Sequence, residues 1–157
     1  MTVTGDLLAP WAGFVGVPGV GFDGGVPDVD GLPADELLGP DGAPYMTRHY
    51  LRHSREHGDI RFHRIRTSDS DRHLHDHPWD FVSLILHGSY IEITPEAETR
   101  YEAPCVIVRR AEDLHRLILP DGEVWTFVVT GRPRRRWGFQ TDGGGWMYWR
   151  DYLRASS

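Results

Sequence analysis

Short strands separated by turn residues dominate this chain from residue 59 to residue 130. Apolar runs alternate there with glycine, proline and aspartate at a spacing of roughly 8–12 residues, which is typical of antiparallel barrels and sandwiches. The predicted strands are 59–67, 81–86, 90–94, 105–109, 114–119 and 124–130. Asp121-Gly122, between the last two, is the strongest hairpin signal. The pattern predicts an all-β domain.

The two ends of the chain differ from this strand-rich region. Residues 1–44 hold 10 of the 18 glycines and 6 of the 11 prolines, a composition that resists both helices and central strands. We expect an N-terminal arm there, with a short helix near 34–38. Residues 45–157 are predicted to form one domain. Within it, 45–57 fits either a strand or a short helix, and 146–153 fits a short C-terminal helix.

The composition excludes several kinds of chemistry. All 17 basic residues are arginine, which rules out a Schiff-base lysine, a pyridoxal phosphate anchor and the lysine of a phosphate-binding P-loop. Cys105 is the single cysteine, so an internal disulfide framework and a zinc ribbon are excluded. The nine histidines stand out against these absences, because histidine is the commonest metal ligand.

Charge and hydropathy indicate which binding partners and which cellular compartment to expect for this chain. The formal net charge of −6 disfavours nucleic acid as a partner. No apolar stretch approaches the roughly 20 residues that cross a bilayer, so we expect no membrane partner. No basic residue precedes Arg48, unlike the start of a secretory signal peptide, and a single cysteine suits a reducing compartment. Both observations favour the cytoplasm.

Residues 72–81 contain the densest group of histidines. Side chains at positions i and i+2 of a strand point to the same face, so His73, His75 and His77 can project together. Two imidazoles at this spacing can reach one ion at metal–nitrogen distances of about 2.0–2.1 Å. A third ligand has to come from elsewhere in the fold, and His115 lies on a later predicted strand.

The spacing around this pair resembles the first sequence motif of the cupin superfamily, Gly-x5-His-x-His-x(3,4)-Glu-x6-Gly. His75 and His77 match the two histidines, and Gly88 matches the closing glycine. Asp69 replaces the opening glycine and Phe81 replaces the glutamate. This half of the resemblance is the more specific one.

The second cupin motif keeps only its histidine, at His115. The resemblance spans about residues 60–131. It implies a cupin-type jelly-roll barrel that shelters a small-molecule cavity. It also implies one divalent transition metal ion, held by His75, His77 and His115.

Loss of the motif glutamate has a chemical consequence. Three neutral imidazoles leave the ion its full charge and leave positions open to water or substrate. This arrangement is similar to the three-histidine cupins, of which the cysteine dioxygenases are the best known. Those enzymes carry a Ser-x-His-x-Tyr run on a late strand, where this chain has Val128 at the histidine position and Thr130 at the tyrosine position. The resemblance therefore favours the metal platform but not cysteine as the substrate.

An alternative ligand set stays open. His73-x-His75 would supply the histidine pair, and Asp80 would then supply a carboxylate ligand. His75 is a ligand in both sets. If His75 and His77 are the pair, His73 becomes a rim residue, and Asp80 could orient a ligand imidazole through its outer nitrogen.

Further side chains are expected to line the cavity. Trp79 and Phe81 are predicted to wall it. Arg64 and Arg66 alternate on a predicted strand, where a guanidinium could clamp an acidic substrate, although the same pattern suits an outward charged face. The complete set of pocket candidates is His63, Arg64, Arg66, Trp79, Phe81 and Thr130.

The resemblance and the histidine spacing together predict a metal-dependent enzyme that acts on a small molecule. An Fe(II) oxygenase is the first hypothesis. Zn, Cu, Ni and Mn stay open, because ligand type does not choose among them. The alternatives are a Lewis-acid isomerase or lyase and a non-catalytic metal- or ligand-binding cupin. A homodimer is also left open.

Overall fold

The computed structural model describes residues 2–3 and 22–156. Its strands are β1 (Thr2–Val3), β2 (Phe22–Asp23), β3 (Val26–Pro27), β4 (Ala34–Leu38), β5 (Pro44–Arg52), β6 (Ile60–Ile65), β7 (Phe81–His87), β8 (Ser89–Ile93), β9 (Glu98–Glu102), β10 (Cys105–Arg109), β11 (Arg116–Ile118), β12 (Val124–Thr130), β13 (Gly138–Gln140) and β14 (Trp146–Tyr148). The helix α1 spans Trp149–Ala155. Within the described ranges, no helix has the length and apolar character of a membrane span. The predicted all-β class is confirmed.

A seven-stranded antiparallel sheet forms one layer, in the order β1-β10-β7-β12-β6-β5-β4. Its central strands β7 and β12 are rich in β-branched and aromatic residues, which suit a pleated, half-buried surface. Successive side chains of a strand point to opposite faces of the sheet. The core residues Ile85, Ile107 and Val124 therefore mark one face as the inner one.

A three-stranded sheet, in the order β11-β8-β9, packs against that inner face. Tyr90 of β8 and Tyr101 of β9 share one hydrophobic cluster with Ile85, Cys105 and Val124 of the large sheet. Full burial of a large apolar side chain contributes about 1.5–3 kcal/mol, so this cluster fixes how the two layers sit together.

Gly88 carries the chain from the large sheet into the small one. It lies between β7 and β8 with φ +83°, a backbone conformation that side chains with a Cβ rarely adopt. A Cβ at this position would stand 2.7 Å from the backbone oxygen of Glu123. The closing glycine of the histidine motif is therefore required by the turn between the layers.

A group of aromatic residues covers one end of the fold. Phe139 of β13 stacks on Tyr152 of α1 with ring centroids 4.0 Å apart, and Trp137 stacks on Trp149 at 5.5 Å. The Trp137 ring also lies 6.4 Å from the ring of His75. This end of the molecule therefore adjoins the histidine-rich segment.

The predicted helix near residues 34–38 is wrong, because this segment is strand β4 and pairs with β5 at the edge of the large sheet. A five-residue helix is marginal in water, whereas edge pairing supplies partners for the same backbone groups. The segment 45–57, left open between strand and helix, contains β5. The C-terminal helix exists, but it starts at Trp149, after the strand β14.

Residues 4–21 of the predicted N-terminal arm lie outside the described residues. Two parts of the arm, Thr2–Val3 and Ala34–Leu38, are strands of the large sheet. The division of the chain at residue 44 stays a prediction.

Candidate metal centre

Backbone hydrogen bonds bring the sequence-distant histidines together. The amide of His75 donates to the carbonyl of His115, and the amide of His115 donates to the carbonyl of His75, each at 2.9 Å. The amide of His77 donates to the carbonyl of Ala111 at 3.0 Å. These three bonds hold the His75–His77 segment against residues 111–115.

Three imidazole rings converge at this point. The ring centroids are 4.9 Å apart for His75 and His115, 5.0 Å for His77 and His115, and 5.1 Å for His75 and His77. One ring nitrogen of each residue lies within 4.8 Å of the other two. The closest pair is Nε2 of His77 and Nε2 of His115, at 2.8 Å.

Two of these rings are held in the neutral form that a metal ion requires. Burial lowers the pKa of His75 to about 4, although the charge of Asp69 acts in the opposite direction. Burial also lowers the pKa of His77 well below its ordinary value, with smaller contributions from its two histidine neighbours. At neutral pH both rings therefore keep a lone pair for coordination.

A buried carboxylate orients the third ring. Nδ1 of His115 lies 2.6 Å from Oε1 of Glu92, which is 1% exposed. Arg109 holds the same carboxylate from the other side, through Nε and through a second bond from Nη2. Burial acts to raise the pKa of Glu92, but hydrogen bonds from His115 and Arg109 outweigh it and lower the pKa. The ionised carboxylate favours a proton on Nδ1 of His115, and Nε2 of the same ring faces His77.

The donor set fits a first-row metal ion. Two nitrogens at about 2.0–2.1 Å from one ion, on perpendicular bonds, would be about 3 Å apart. The 2.8 Å between the Nε2 atoms of His77 and His115 is close to that value. Imidazole ligands suit Fe, Zn, Cu and Ni alike, so the ligands do not select the element.

Phe81 occupies the glutamate position of the cupin motif, so the side of the cluster that it covers is apolar. The Phe81 ring meets the His77 ring edge-on at a centroid distance of 5.0 Å and lies 6.1 Å from the ring of His115. The histidine cluster therefore has no carboxylate from this position, and an aromatic wall stands in its place.

Asp69 supplies the negative charge nearest to His75. Its Oδ2 lies 3.9 Å from Nδ1 of His75 and accepts a hydrogen bond from the Leu117 amide at 2.7 Å. The other oxygen accepts from the hydroxyl of Tyr45. The residue at the opening-glycine position of the motif thus packs beside the cluster and favours positive charge there.

The structure does not bring His73 or Asp80 to the cluster. Nδ1 of His73 lies 2.7 Å from the hydroxyl of Tyr152, and its Nε2 lies 3.0 Å from Asp142. Asp80 has a 56% exposed side chain whose Oδ1 accepts from the Ala111 amide and from Arg134, each at 2.7 Å. The alternative ligand set is not assembled, and Asp80 braces a surface loop.

Arg64 and Arg66 lie on the outer face of the large sheet. Arg64 bonds Glu123 at 2.9 Å and covers the ring of Trp125, whereas Arg66 bonds the hydroxyl of Thr47 at 2.7 Å. The expected clamp by either arginine is therefore not available at the histidine cluster. Their neighbours on β6, Arg61 and His63, occupy the inner face instead, as their pairing opposite Val128 and Thr126 shows.

The remaining pocket candidates lie on or next to the inner face. The Trp79 ring packs under the guanidinium of Arg61 at 5.1 Å. Nε2 of His63 accepts a hydrogen bond from Nε of Arg61 at 2.8 Å, which places the proton of the neutral ring on Nδ1. Thr130 is 3% exposed, and its hydroxyl accepts from the Asp59 amide, so that group already has a structural partner.

Sequence reasoning missed Glu92 and Arg109. Each has a signal in the alternation of its strand, since Glu92 follows the core residue Tyr90 by two positions and Arg109 follows the core residue Ile107 by two. A charged residue at an inward position calls for a buried partner. The identity of that partner depends on how the two sheets pack against each other, and the packing cannot be read directly from the sequence.

No family model matches this sequence, and no curated protein matches it. The structure is similar to a cupin-2 domain protein from Rhodospirillum rubrum, with a TM-score of 0.60 and 17% identity, over 80% of this chain and 83% of that one. The chain has the cupin fold. The predicted jelly-roll architecture is thus confirmed, and the three converging histidines fit the metal site of a cupin.

Two other cupin-fold neighbours are named for their chemistry. One is the polyketide cyclase RemF from Streptomyces resistomycificus, with a TM-score of 0.57 and 17% identity, over 70% of this chain and 80% of that one. The other is HppE with Fe(II), with a TM-score of 0.54 and 15% identity, over 71% of this chain and 64% of that one. At these identities the similarity shows the fold alone.

Proposed function

We propose that this cupin is a metal-dependent enzyme that acts on a small molecule, with one divalent first-row metal ion held by His75, His77 and His115. The observation that carries the proposal is the convergence of three imidazoles whose ligand-type nitrogens lie within 4.8 Å of one another. A shared proton could account for the 2.8 Å contact between Nε2 of His77 and Nε2 of His115, but a metal ion accounts for the convergence of all three rings, including that of His75.

An Fe(II) oxygenase is the subclass that we favour. Three neutral ligands leave up to half of an octahedral set of coordination positions open, and Fe(II) in such a site would bind and polarise both dioxygen and a small substrate. The Phe81 ring takes the place of a fourth ligand beside His77 and His115. The similarity in fold to HppE with Fe(II) supports the same choice.

The chain's own residues would orient the site and keep it dry. Glu92, fixed by Arg109, holds the Nδ1 proton of His115 so that Nε2 faces the centre. Phe81 shields the rings of His77 and His115 from water on one side. A dry, low-dielectric site strengthens every charge interaction with a bound substrate.

A Lewis-acid enzyme without redox chemistry is the second candidate. It is favoured by the aromatic surroundings of the cluster, since the rings of Phe81, Trp137 and Phe139 lie beside the histidines and supply no group that titrates near neutral pH. Val128 stands where the cysteine dioxygenases have a histidine, and the polyketide cyclase RemF has a similar fold. A zinc ion that polarises a carbonyl would suit such a site.

Metal analysis tests the proposal. We would purify the protein with a tag that contains no histidine and without added metal, and measure metal content by mass spectrometry. We expect close to one equivalent of a first-row metal, and its loss in His75→Ala, His77→Ala and His115→Ala. His73→Ala and His87→Ala are matched controls, because these histidines lie outside the cluster and should leave the metal content unchanged.

The identity of the metal separates the candidates. Iron, together with dioxygen uptake in the presence of ascorbate, would support the oxygenase. Stoichiometric zinc without dioxygen uptake would favour the Lewis-acid enzyme or a metal-binding protein without catalysis. If the three cluster variants keep as much metal as the controls, the site assignment is wrong.

A further inference from the structure

The inner face of the large sheet carries a row of polar residues outside the histidine cluster. Arg48 of β5 lies directly opposite His63 of β6, and His63 lies directly opposite Thr126 of β12. Residues that pair directly across neighbouring strands share one face of a sheet. Thr126 also pairs with Ile85, a fully buried core residue, so the whole row faces the interior.

Two groups in this row lack a hydrogen-bond partner. Nε of Arg48 and Oγ1 of Thr126 are both buried and bond to nothing among the described residues. The threonine is only 2% exposed, so surrounding water does not compensate for the missing bond. A buried polar group without a partner costs about 1–3 kcal/mol, and more when it is charged.

Arg61, on the same face of the sheet, has the hydrogen-bond and charge partners that Arg48 lacks among the described residues. Arg61 donates to Asp59 at 2.6 Å and to His63 at 2.8 Å, and its guanidinium covers the Trp79 ring. Arg48 has no ion pair of this kind with any described residue. Asp35 of β4 pairs directly opposite Arg48, but its carboxylate accepts a hydrogen bond from the hydroxyl of Tyr50 and forms no ion pair with Arg48. Asp59 balances the charge of Arg61, so among the described residues the guanidinium of Arg48 is the one on this face without an ion pair.

The row lies next to the histidine cluster. Arg61 and Val128 pair across the strands, and two residues further along β12 Thr130 pairs with Phe81. The Phe81 ring in turn packs on the ring of His77. The charges of Arg48 and Arg61 are among the causes that lower the pKa of His77, after burial and the neighbouring histidines. An anion beside Arg48 would therefore share the interior with the cluster.

We propose that Arg48 and Thr126 form a carboxylate subsite that binds the acid group of the substrate beside His77. The guanidinium N–H of Arg48 and the hydroxyl of Thr126 both donate to the carboxylate oxygens, which satisfies the two unpartnered groups at once. One uncompensated guanidinium matches the single charge of a carboxylate better than the double charge of a phosphate. The substrate class is then a small organic acid. This inference rests on the proposed function, which it extends from a metal centre to a substrate.

Binding of simple acids to the metal-free protein tests the subsite directly. Full-length protein stripped with EDTA is titrated with propionate, benzoate and inorganic phosphate at constant chloride concentration, with ligand-observed NMR as the readout. Propionamide and benzamide are the neutral controls of the same shape. A charge-assisted hydrogen bond is worth enough that we expect each acid to bind about tenfold or more tightly than its amide.

Single substitutions assign the preference to residues. We expect Arg48→Gln to abolish the preference for acid over amide, and Thr126→Val to weaken acid binding several-fold. Arg64→Gln is the matched control, because that arginine lies on the outer face and should leave the preference intact. Equal binding of acids and amides by the wild-type protein, tighter binding of phosphate, or a preference that survives Arg48→Gln would each overturn the carboxylate subsite.

Metal content separates the failure of this subsite from the failure of the metal centre. We expect Arg48→Gln to keep its metal and His75→Ala to lose metal but keep the acid preference. If the wild-type protein holds metal but binds acids and amides equally, the subsite alone is overturned. If it binds acids more tightly than amides but holds no metal, the proposed metal centre alone is overturned. Circular dichroism checks that each variant folds. If Arg48→Gln does not fold, Thr126→Val serves instead, because it removes a hydroxyl that bonds nothing in the described structure.

Discussion

Nδ1 of His115 and Oε1 of Glu92 are 2.6 Å apart, and the carboxylate of Glu92 is almost completely buried. Arg109 holds that carboxylate from the opposite side, so the charge is balanced without water. A carboxylate that accepts the outer proton of a ligand imidazole fixes both the tautomer and the orientation of the ring. Strand β8 of the small sheet, which carries Glu92, therefore sets the direction in which the His115 ring points, toward the large sheet.

Glu92→Gln should weaken metal binding at this centre. The amide keeps the shape of the side chain but loses the charge that holds the His115 proton, and loss of such a partner costs about 10- to 100-fold in metal affinity. Competition titrations with Co(II) or Zn(II) measure the change. Because Arg109 also loses a buried partner, the folded fraction has to be verified first.

Glu112→Gln is the control for this substitution. Its side chain is 52% exposed, and both of its carboxylate oxygens bond Arg134 at the surface. We expect it to bind metal like the wild-type protein. If Glu92→Gln also binds metal with unchanged affinity, Glu92 is only a structural partner of Arg109.

Thr126→Val and Thr130→Val should differ in their effect on stability. The two threonines are 2% and 3% exposed and lie on the same face of β12. Within the described part of the chain, the Thr130 hydroxyl has a partner, the amide of Asp59, and the Thr126 hydroxyl has none. Removing an unpartnered hydroxyl should leave the free energy of unfolding unchanged or raise it, whereas removing a bonded one should lower it by about 1 kcal/mol or more. Urea denaturation of the metal-free proteins measures both. An equal loss in the two variants would show that Oγ1 of Thr126 has a partner after all.

The strands and the histidine spacing could be predicted from the sequence because both are local patterns. Gly88 lies between two predicted strands and matches the closing glycine of the cupin motif, and the structure shows that the position tolerates only glycine. The cluster of His75, His77 and His115 depends on long-range backbone pairing, in which His75 bonds His115 and His77 bonds Ala111. The sequence predicted this cluster only through the spacing of the cupin motif and not through the pairing itself.

The inner and outer faces of β6 could not be predicted in the same way. Polar residues stand on both sides of this strand, at Arg61, His63 and Arg64, so the sequence lacks the clear alternation that identifies a buried face. Only the pairing with β12, which places Arg61 and His63 opposite buried residues, decides between them. The sequence therefore left Arg64 and Arg66 open between an inward clamp and an outward charged face, and the structure places both on the outer face.

Phe81→Glu should turn the cluster into a four-ligand site. In the metal-free protein the new carboxylate lies against the rings of His77 and His115, and the cost of burying its charge lowers stability. A bound metal ion balances that charge, so the gain in melting temperature on adding Mn(II) or Zn(II) should be larger than in the wild-type protein.

Phe81→Leu is the control for the loss of the aromatic ring. It keeps an apolar side chain and should leave the gain in melting temperature on metal addition close to that of the wild-type protein. An identical gain in Phe81→Glu and Phe81→Leu would mean that position 81 does not face the metal.

His63→Gln should reduce the loss of stability in mild acid. Burial, together with the charge of Arg61, lowers the pKa of His63 well below its ordinary value. Below pH about 6.5 the unfolded chain therefore binds a proton at this residue that the folded protein does not, and the free energy of unfolding falls as the pH falls. Glutamine can still accept the hydrogen bond from Arg61 but does not titrate. Unfolding in urea between pH 7 and 5, with EDTA present, should show a pH slope smaller than that of the wild-type protein by up to about 1.4 kcal/mol per pH unit.

His57→Gln, at a histidine whose side chain is 67% exposed, is the control and should keep the wild-type slope. If the slopes of the wild-type protein and His63→Gln coincide, His63 is protonated equally in both states, and its bond with Arg61 is not formed as described.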